Sequence, residues 1–233
     1  MASHGSLGIL ELERGLPPDM PRPTPAFGSL RHPATFQRPA IFETVPGAWV
    51  ENVVRGDPSL EGAYVQSAQR LVSRGAIAIS SNCGFSVRHQ AAIAAAVNVP
   101  VVMSSLLLIP TLLRQLPASA MMAVLTYDSA HLTEDLLDLE EAAQRARIVI
   151  GGIEGGEFWH NELKRPVPPT SVASIESDVK ACVARLRTAH PEIGAILLEC
   201  AGFPIVAPTI RRLAKLPVYD IVSLCCTTIA ALD

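Results

Sequence analysis

The chain has 233 residues, 49% of them hydrophobic and 18% charged, enough for one large or two small α/β units around a substantial core and incompatible with overall disorder. A net charge of −3, with no Lys/Arg cluster interleaved with aromatics, argues against nucleic acid as a partner. The longest apolar runs are about seven residues, far below the roughly 20 that span a bilayer, so no membrane partner is expected.

Met1–Gly8 has neither a basic n-region nor an apolar signal core, and a cytoplasmic protein is expected. The five cysteines form no disulfide-like framework and no CxxC or Cys/His ligand spacing. Free thiols are therefore expected, and neither a metal nor another cofactor.

Leu7–Leu12 reads as the first strand. Between Pro17 and Pro39 lie seven of the 19 prolines, too dense for a helix or a central strand. A run of that length is either a cover over a functional site or a disordered segment. Phe27, Phe36 and the following strand Ala40–Val45 favour an ordered wall or lid. Pro58 to Ser73 has the apolar spacing of an amphipathic helix, with Leu60, Ala63, Tyr64, Ala68, Leu71 and Val72 on one face.

The apolar strand that starts at Gly75 stops at Cys83, and an alanine-rich helix is predicted from Ser86 to Val97. Its free N–H groups and positive dipole end can lower a thiol pKa or hold a carboxylate. Val99–Met103 is the next strand, with the hydroxyls of Ser104 and Ser105 at its end. There follow a helix over Leu106–Leu116 interrupted at Pro110, a strand over Ala120–Thr126, a helix from about Thr133 to Arg145 and a strand over Arg147–Gly152. The glycine run 151–156 fits neither phosphate-loop pattern and has no following lysine, so it reads as a flexible connection. The remainder is a helix over Ser174–Arg187 capped by Ser174, a second strand ending at a cysteine, a helix over Pro208–Leu216, the strand Val218–Val222 and a terminal helix.

The stretch Gly75-Ala-Ile-Ala-Ile-Ser-Ser-Asn-Cys-Gly-Phe85 returns as Gly194-Ala-Ile-Leu-Leu-Glu-Cys-Ala-Gly-Phe203. Pro100 follows Cys83 by 17 residues and Pro217 follows Cys200 by the same 17. From glycine to cysteine the copies differ by two residues, an imperfection expected where the loop turns. Each copy is a strand–cysteine–helix–strand unit, and in open parallel sheets reactive groups gather beyond the carboxyl ends of the strands. The alternation of strands and helices with this repeat predicts an α/β fold of two pseudo-symmetric lobes, each a mostly parallel sheet flanked by helices, with the active site in the cleft between them. Residues 1–106, completed by about 207–233, form the lobe carrying Cys83, and residues 107–206 the lobe carrying Cys200.

Two thiols facing one carbon can take a proton from one side and return it from the other, which inverts the centre. Cys83 and Cys200 are thus the candidate acid/base pair, whereas Cys182, Cys225 and Cys226 are expected to pack as small apolar groups. At the opening Gly8-Ile-Leu10, Pro33-Ala-Thr-Phe36, Val45-Pro-Gly47, Ser81-Asn-Cys-Gly-Phe85, Ser104-Ser-Leu106, Leu125-Thr126, Leu198-Glu-Cys200 and Val218-Tyr-Asp-Ile-Val222, the chain resembles the aspartate/glutamate/hydantoin racemase superfamily, over nearly its whole length. The resemblance implies cofactor-independent racemisation or epimerisation α to a carboxyl or carbonyl by Cys83 and Cys200, and a homodimer or higher homo-oligomer. It also puts the polar atoms of Ser81, Asn82, Ser104 and Thr126 on the substrate, with Gly84, Phe85, Ala201 and Gly202 around it.

Many amino-acid racemases of that group carry Asn-Thr or Thr-His after their cysteines, whereas this chain has Gly84-Phe85 and Ala201-Gly202-Phe203. The less polar surroundings favour a small apolar amino acid, a hydantoin or a related small acid over aspartate or glutamate. A decarboxylase or cis–trans isomerase of the same superfamily is the alternative, and a non-enzymatic small-ligand-binding module is the alternative from another class. Glu199 precedes Cys200, but neighbours in an extended strand point to opposite faces, so strand alternation alone assigns it no catalytic role. His89 lines the cleft or faces solvent, and Trp159 and His160 lie at the mouth of the site or pack as loop aromatics.

Overall fold

The computed structural model describes residues 5–17 and 24–232. Residues 18–23 of the proline-rich stretch and the start of the Met1–Gly8 segment lie outside the described residues.

Each lobe is built on a four-stranded parallel sheet, as the alternation of strands and helices requires. The first lobe contains β1 (Ser6–Glu11), β2 (Ala40–Thr44), α1 (Val50–Arg55), α2 (Glu61–Ser73), β3 (Ala76–Ser81), α3 (Gln90–Ala96), β4 (Val101–Val102) and α4 (Ile109–Gln115). The second contains β5 (Met121–Thr126), α5 (Ala142–Arg145), β6 (Ile148–Gly152), α6 (Glu157–Glu162), α7 (Val172–Ala189), β7 (Ile193–Leu198), α8 (Ala207–Ala214) and β8 (Val218–Tyr219). The terminal helix α9 (Ile221–Ala230) follows.

The strand orders, β2-β1-β3-β4 and β6-β5-β7-β8, are one pattern repeated. The register repeats as well, with an irregularity between Ser6 and Leu7 where β1 meets β3 and another between Met121 and Met122 where β5 meets β7. The Ile79 N–H donates to the Pro100 carbonyl at 2.8 Å and the Ile196 N–H to the Pro217 carbonyl at 2.9 Å, so the two prolines open equivalent edge strands. Gly75 stands before β3 in a left-handed turn (φ +92°), whereas Gly194 is inside β7. The repeat is therefore anchored at its cysteines, and the two-residue mismatch counted from the glycines comes from glycines that are not equivalent.

The return to the first lobe comes later than residue 207. α8 and β8 stay with the second sheet, where Val218 pairs with Ile196, and only α9 crosses back. There α9 places Ile221, Cys225 and Ile229 with Leu7, Ile9 and Ala78 on one face of the first sheet. Leu30 and Phe36 of the proline-rich stretch join the same cluster, which explains how a segment without regular structure is held to the body.

Three helix expectations change. Residues 133–145 form a 3₁₀ turn (Glu134–Leu137) and the short α5, separated by Asp138 with a left-handed backbone (φ +52°) that no continuous helix admits. The chain after Cys83 makes a 3₁₀ turn over Gly84–His89 before α3 begins. Ser171, rather than Ser174, caps α7, its hydroxyl accepting the Ser174 N–H. The short helices α1 and α6 had no sequence signal of their own. Among the described residues no helix is long and apolar enough to cross a membrane.

Candidate active site

β3 and β7 are central strands of their sheets, and the chain leaves each at its carboxyl end into a cysteine loop. Asn82, Cys83, Gly84 and Phe85 from one loop and Glu199, Cys200, Ala201 and Gly202 from the other line a single cavity of about 380 Å³. The lobes are joined behind it by the buried Ser105 hydroxyl, which donates to the Leu198 carbonyl at 2.8 Å.

Both thiols are held in their neutral form. Burial raises the Cys83 pKa far above that of a free thiol, and the Glu199 carboxylate raises it further, against backbone N–H groups of Phe85 and Ser86 that favour the thiolate. Cys200 retains some exposure to the cavity but is enclosed by protein. Burial raises its pKa first, then Glu199, with the Gly202 N–H opposing and the Cys83 charge adding to the rise. Because the Glu199 charge acts on both thiols, the three acids titrate together rather than separately.

Glu199 lies inside the site. β7 ends at Leu198, so strand alternation no longer fixes the direction of the next side chain. The Glu199 N–H donates to the Leu125 carbonyl at 2.8 Å, and one carboxyl oxygen, Oε2, accepts the Thr126 hydroxyl at 2.8 Å. The other, Oε1, is buried with no hydrogen-bond partner among the described residues. It lies against Gly84, where an added Cβ would come within 2.2 Å of Oε1 and 2.5 Å of the Glu199 carbonyl oxygen. Only glycine lets the two cysteine loops approach this closely. Burial pushes the Glu199 carboxyl up to about 7, opposed by the Thr126 hydroxyl and the Tyr127 N–H.

The other expected polar contacts are elsewhere. Ser81 is buried behind the loop, its Oγ accepting the Cys83 N–H at 3.2 Å and donating to Ser86 Oγ at 3.0 Å. Ser104 caps the turn that follows it, accepting the Leu106 N–H at 3.2 Å. Thr126 is committed to Glu199. None of the three lines the cavity, because the hydroxyls are consumed in forming the loops. Asn82 reaches the cavity, but its Oδ1 accepts the Leu12 N–H at 3.0 Å. His89 is buried and stacked on Tyr64 at 4.4 Å, and neither Trp159 nor His160 lines the cavity. Trp159 instead stacks on Tyr127, whose hydroxyl donates to the Trp159 carbonyl at 2.8 Å.

The rest of the wall had not been anticipated, apart from the proline-rich stretch, which contributes Thr24, Pro25, Ala26, Ser29, Leu30 and Arg31. Arg31 is paired with Glu11 and lies 4.1 Å over the Phe42 ring. Arg14 crosses between lobes to Glu162, with contacts of 3.1 and 2.6 Å. Tyr127 and Phe158 meet edge to face at 6.3 Å and form the aromatic side of the cavity. These residues come from scattered places in the chain, and no local pattern marks them. Of the other cysteines, Cys182 and Cys225 are buried, their thiols raised by burial to about 11 and about 12.

The two-lobed fold is shared with solved racemase structures. Two solved structures carry the likeness. Glutamate racemase from Francisella tularensis subsp. tularensis SCHU S4 matches with a TM-score of 0.60 at 14% identity, over 99% of this chain and 81% of its own. Allantoin racemase from Klebsiella pneumoniae matches with a TM-score of 0.60 at 15% identity, over 97% and 87%. In sequence the chain is similar to dimethylsulfoniopropionate lyase 3 of Emiliania huxleyi (strain CCMP1516), 27% identical over 245 positions that take in 100% of this chain and 61% of the lyase. The chain thus spans about 61% of the length of that relative. No protein-family model matches.

Proposed function

We propose that this chain is a lyase that removes the proton α to a carboxylate with a thiolate of the Cys83/Cys200 pair and expels a group from the β carbon. The observation that carries this reading is the convergence of two cysteine loops, one from each lobe, on a single cavity with a buried carboxyl between them. A thiolate is a stronger base for a carbon acid when apolar side chains limit its hydration, and Leu12, Val50, Val54, Tyr127 and Phe158 wall the cavity.

The leaving group follows from the relatives. In dimethylsulfoniopropionate a sulfonium sits β to the carboxylate. Transfer of the α proton to a thiolate lets the two electrons of that C–H bond form the new double bond, while the C–S pair departs with sulfur as dimethyl sulfide, leaving acrylate. A sulfonium departs without protonation, so no acid is needed on that side. Its methyl groups cannot donate conventional hydrogen bonds, and they suit the Tyr127 and Phe158 rings through apolar and cation–π contact.

The test is release of dimethyl sulfide from dimethylsulfoniopropionate by the purified chain, with Cys83→Ser and Cys200→Ser alongside. Loss of at least roughly 10²-fold is expected in the folded variant that lacks the base, the low end of general acid–base effects. No release by the parent, or full release by both variants, defeats the proposal. A racemase is the second reading, favoured by the near equivalence of the two cysteine positions. It requires inversion of an α-carbon in a substrate without a leaving group, with deuterium uptake from D2O at that carbon.

A further inference from the structure

Among the cavity-lining positions at which the two lobes differ, the one before each cysteine is ionisable in one lobe only. Asn82 and Glu199 occupy equivalent places, each immediately before its cysteine. The Asn82 N–H donates to Leu10 at 2.9 Å and the Glu199 N–H to Leu125 at 2.8 Å, in matching strands. Asn82 Oδ1 accepts the Leu12 N–H, whereas the Glu199 carboxyl accepts the Thr126 hydroxyl. One lobe thus carries an amide and the other an ionisable group at the matching place.

The Glu199 carboxyl is placed to exchange protons with the pair. Its own backbone joins Cys200, and its side chain rests on Gly84, which adjoins Cys83. Oε2 is occupied by Thr126, while Oε1 is fully buried and unpartnered among the described residues, against Gly84. An oxygen left unsatisfied in this way is costly, more so when charged, and a proton on it removes the charged part of that cost. A proton on Oε1 is therefore favoured by the site.

We infer that Glu199 is the proton store of the cysteine pair, holding on Oε1 the proton that a thiol gives up when it becomes the working thiolate. The step is Cys–SH plus Glu199 carboxylate to Cys–S⁻ plus Glu199 carboxylic acid, with no oxidation and no carbon bond changed. One negative charge is shared among three acids, and the thiolate exists chiefly while Glu199 is protonated, because the two charges raise each other's energy. In turnover the thiolate takes the α proton and becomes a thiol, and one proton then leaves to solvent to restore the shared charge. That part rests on the proposed elimination; the charge sharing itself does not.

The test needs no substrate. Rates of iodoacetamide alkylation at Cys83 and Cys200 are measured on the full chain across pH 5–10 by peptide mass spectrometry. If Glu199 shares the charge, the parent rate at one or both cysteines rises about tenfold per pH unit, flattens near the carboxyl's pKa of about 7, and rises again when the second proton is lost. Glu199→Gln, close in shape, should show no flattening and a single rise at lower pH than the parent's upper step, because a neighbouring charge is gone. Flattening that persists in the Gln variant, or none in the parent at either cysteine, overturns the inference. Thr126→Val provides a second route if the Gln variant fails to fold. Loss of the hydroxyl that favours the carboxylate should move the flattening to higher pH, and an unmoved profile overturns the inference. A parent that shows the flattening but releases no dimethyl sulfide refutes the lyase and leaves the proton store standing.

Discussion

Replacing Gly84 with alanine tests how closely the two cysteine loops are packed. The added Cβ would stand 2.2 Å from Glu199 Oε1 and 2.5 Å from the Glu199 carbonyl oxygen, where real Cβ contacts essentially never fall below 3.0 Å. The side-chain oxygen can swing away, but the carbonyl belongs to the backbone that leads into Cys200. At least about 0.5 Å of loop displacement is therefore forced, and either Cys83 or Cys200 moves with it. Overpacking of this kind costs typically about 1–3 kcal/mol. In a chain of this size that lowers the melting temperature by about 2–12 °C, at roughly 2–4 °C per kcal/mol. Turnover should fall at least about tenfold, since displacements near 1 Å can cost about 10². Thermal melts and initial rates of Gly84→Ala measure both. Adding Glu199→Ala removes only the side-chain clash, so stability should partly return while the rate does not. A Gly84→Ala protein with parental melting temperature and rate would refute the close approach of the loops.

Glu199 should also leave a mark on stability against pH. Its carboxyl moves from an ordinary 4.5 to about 7 in the folded chain, so between these values the folded state binds more protons than the unfolded one. Stability from this group is fully present below pH 4.5, falls as pH rises and levels off above 7, a loss on the order of 3 kcal/mol that Glu199→Gln lacks. Urea melts at pH 5 and 8 measure it, and equal changes in the two proteins would refute the burial of a free carboxyl. Cys182→Ala, at a buried position against Gly151, should cost about 1–2 kcal/mol and leave turnover near parental; a folded but inactive variant would show that the wrong thiols were singled out. Ser105→Ala removes the buried bond to Leu198 between the lobes and should cost about 1–2 kcal/mol in urea melts, with no cost counting against a shared interface.

The fold was legible because its signal is local and repeated. Apolar runs that end at Cys83 and Cys200, each followed by proline after the same interval, fix both central strands and both edge strands. The crossover of α9 was placed too early because the packing of residues 207–219 against β7 is a long-range fact that no local pattern carries. Legibility of the site was uneven for the same reason. The cysteine loops are contiguous in sequence and line the cavity, whereas Arg14, Glu162, Tyr127 and Phe158 meet only through the packing of the two lobes. Serine and threonine hydroxyls near a strand end suggest ligand contacts, but Ser81, Ser104 and Thr126 are spent on loop N–H groups and on Glu199. Strand alternation says nothing firm about Glu199, because β7 ends one residue before it.

The departure from symmetry bears on the direction of the reaction. A racemase works from either hand of its substrate, and two equivalent thiols in equivalent loops serve that need. Here the strands that lead to the two cysteines match in register, but an amide precedes one cysteine and a carboxyl the other. A proton store beside a symmetric pair biases which protonation state the empty site adopts, and that bias is of no use to an enzyme that must start equally well from both faces. It serves an enzyme that removes a proton in every turnover and delivers it to solvent. Elimination is such a reaction, because the base is regenerated only when the abstracted proton has left the site. Gly84 is the geometric condition for the arrangement, since any side chain there would occupy the space in which Oε1 lies. The residue that makes the two halves unequal and the glycine that makes room for it thus come from opposite lobes, and neither has this role without the other.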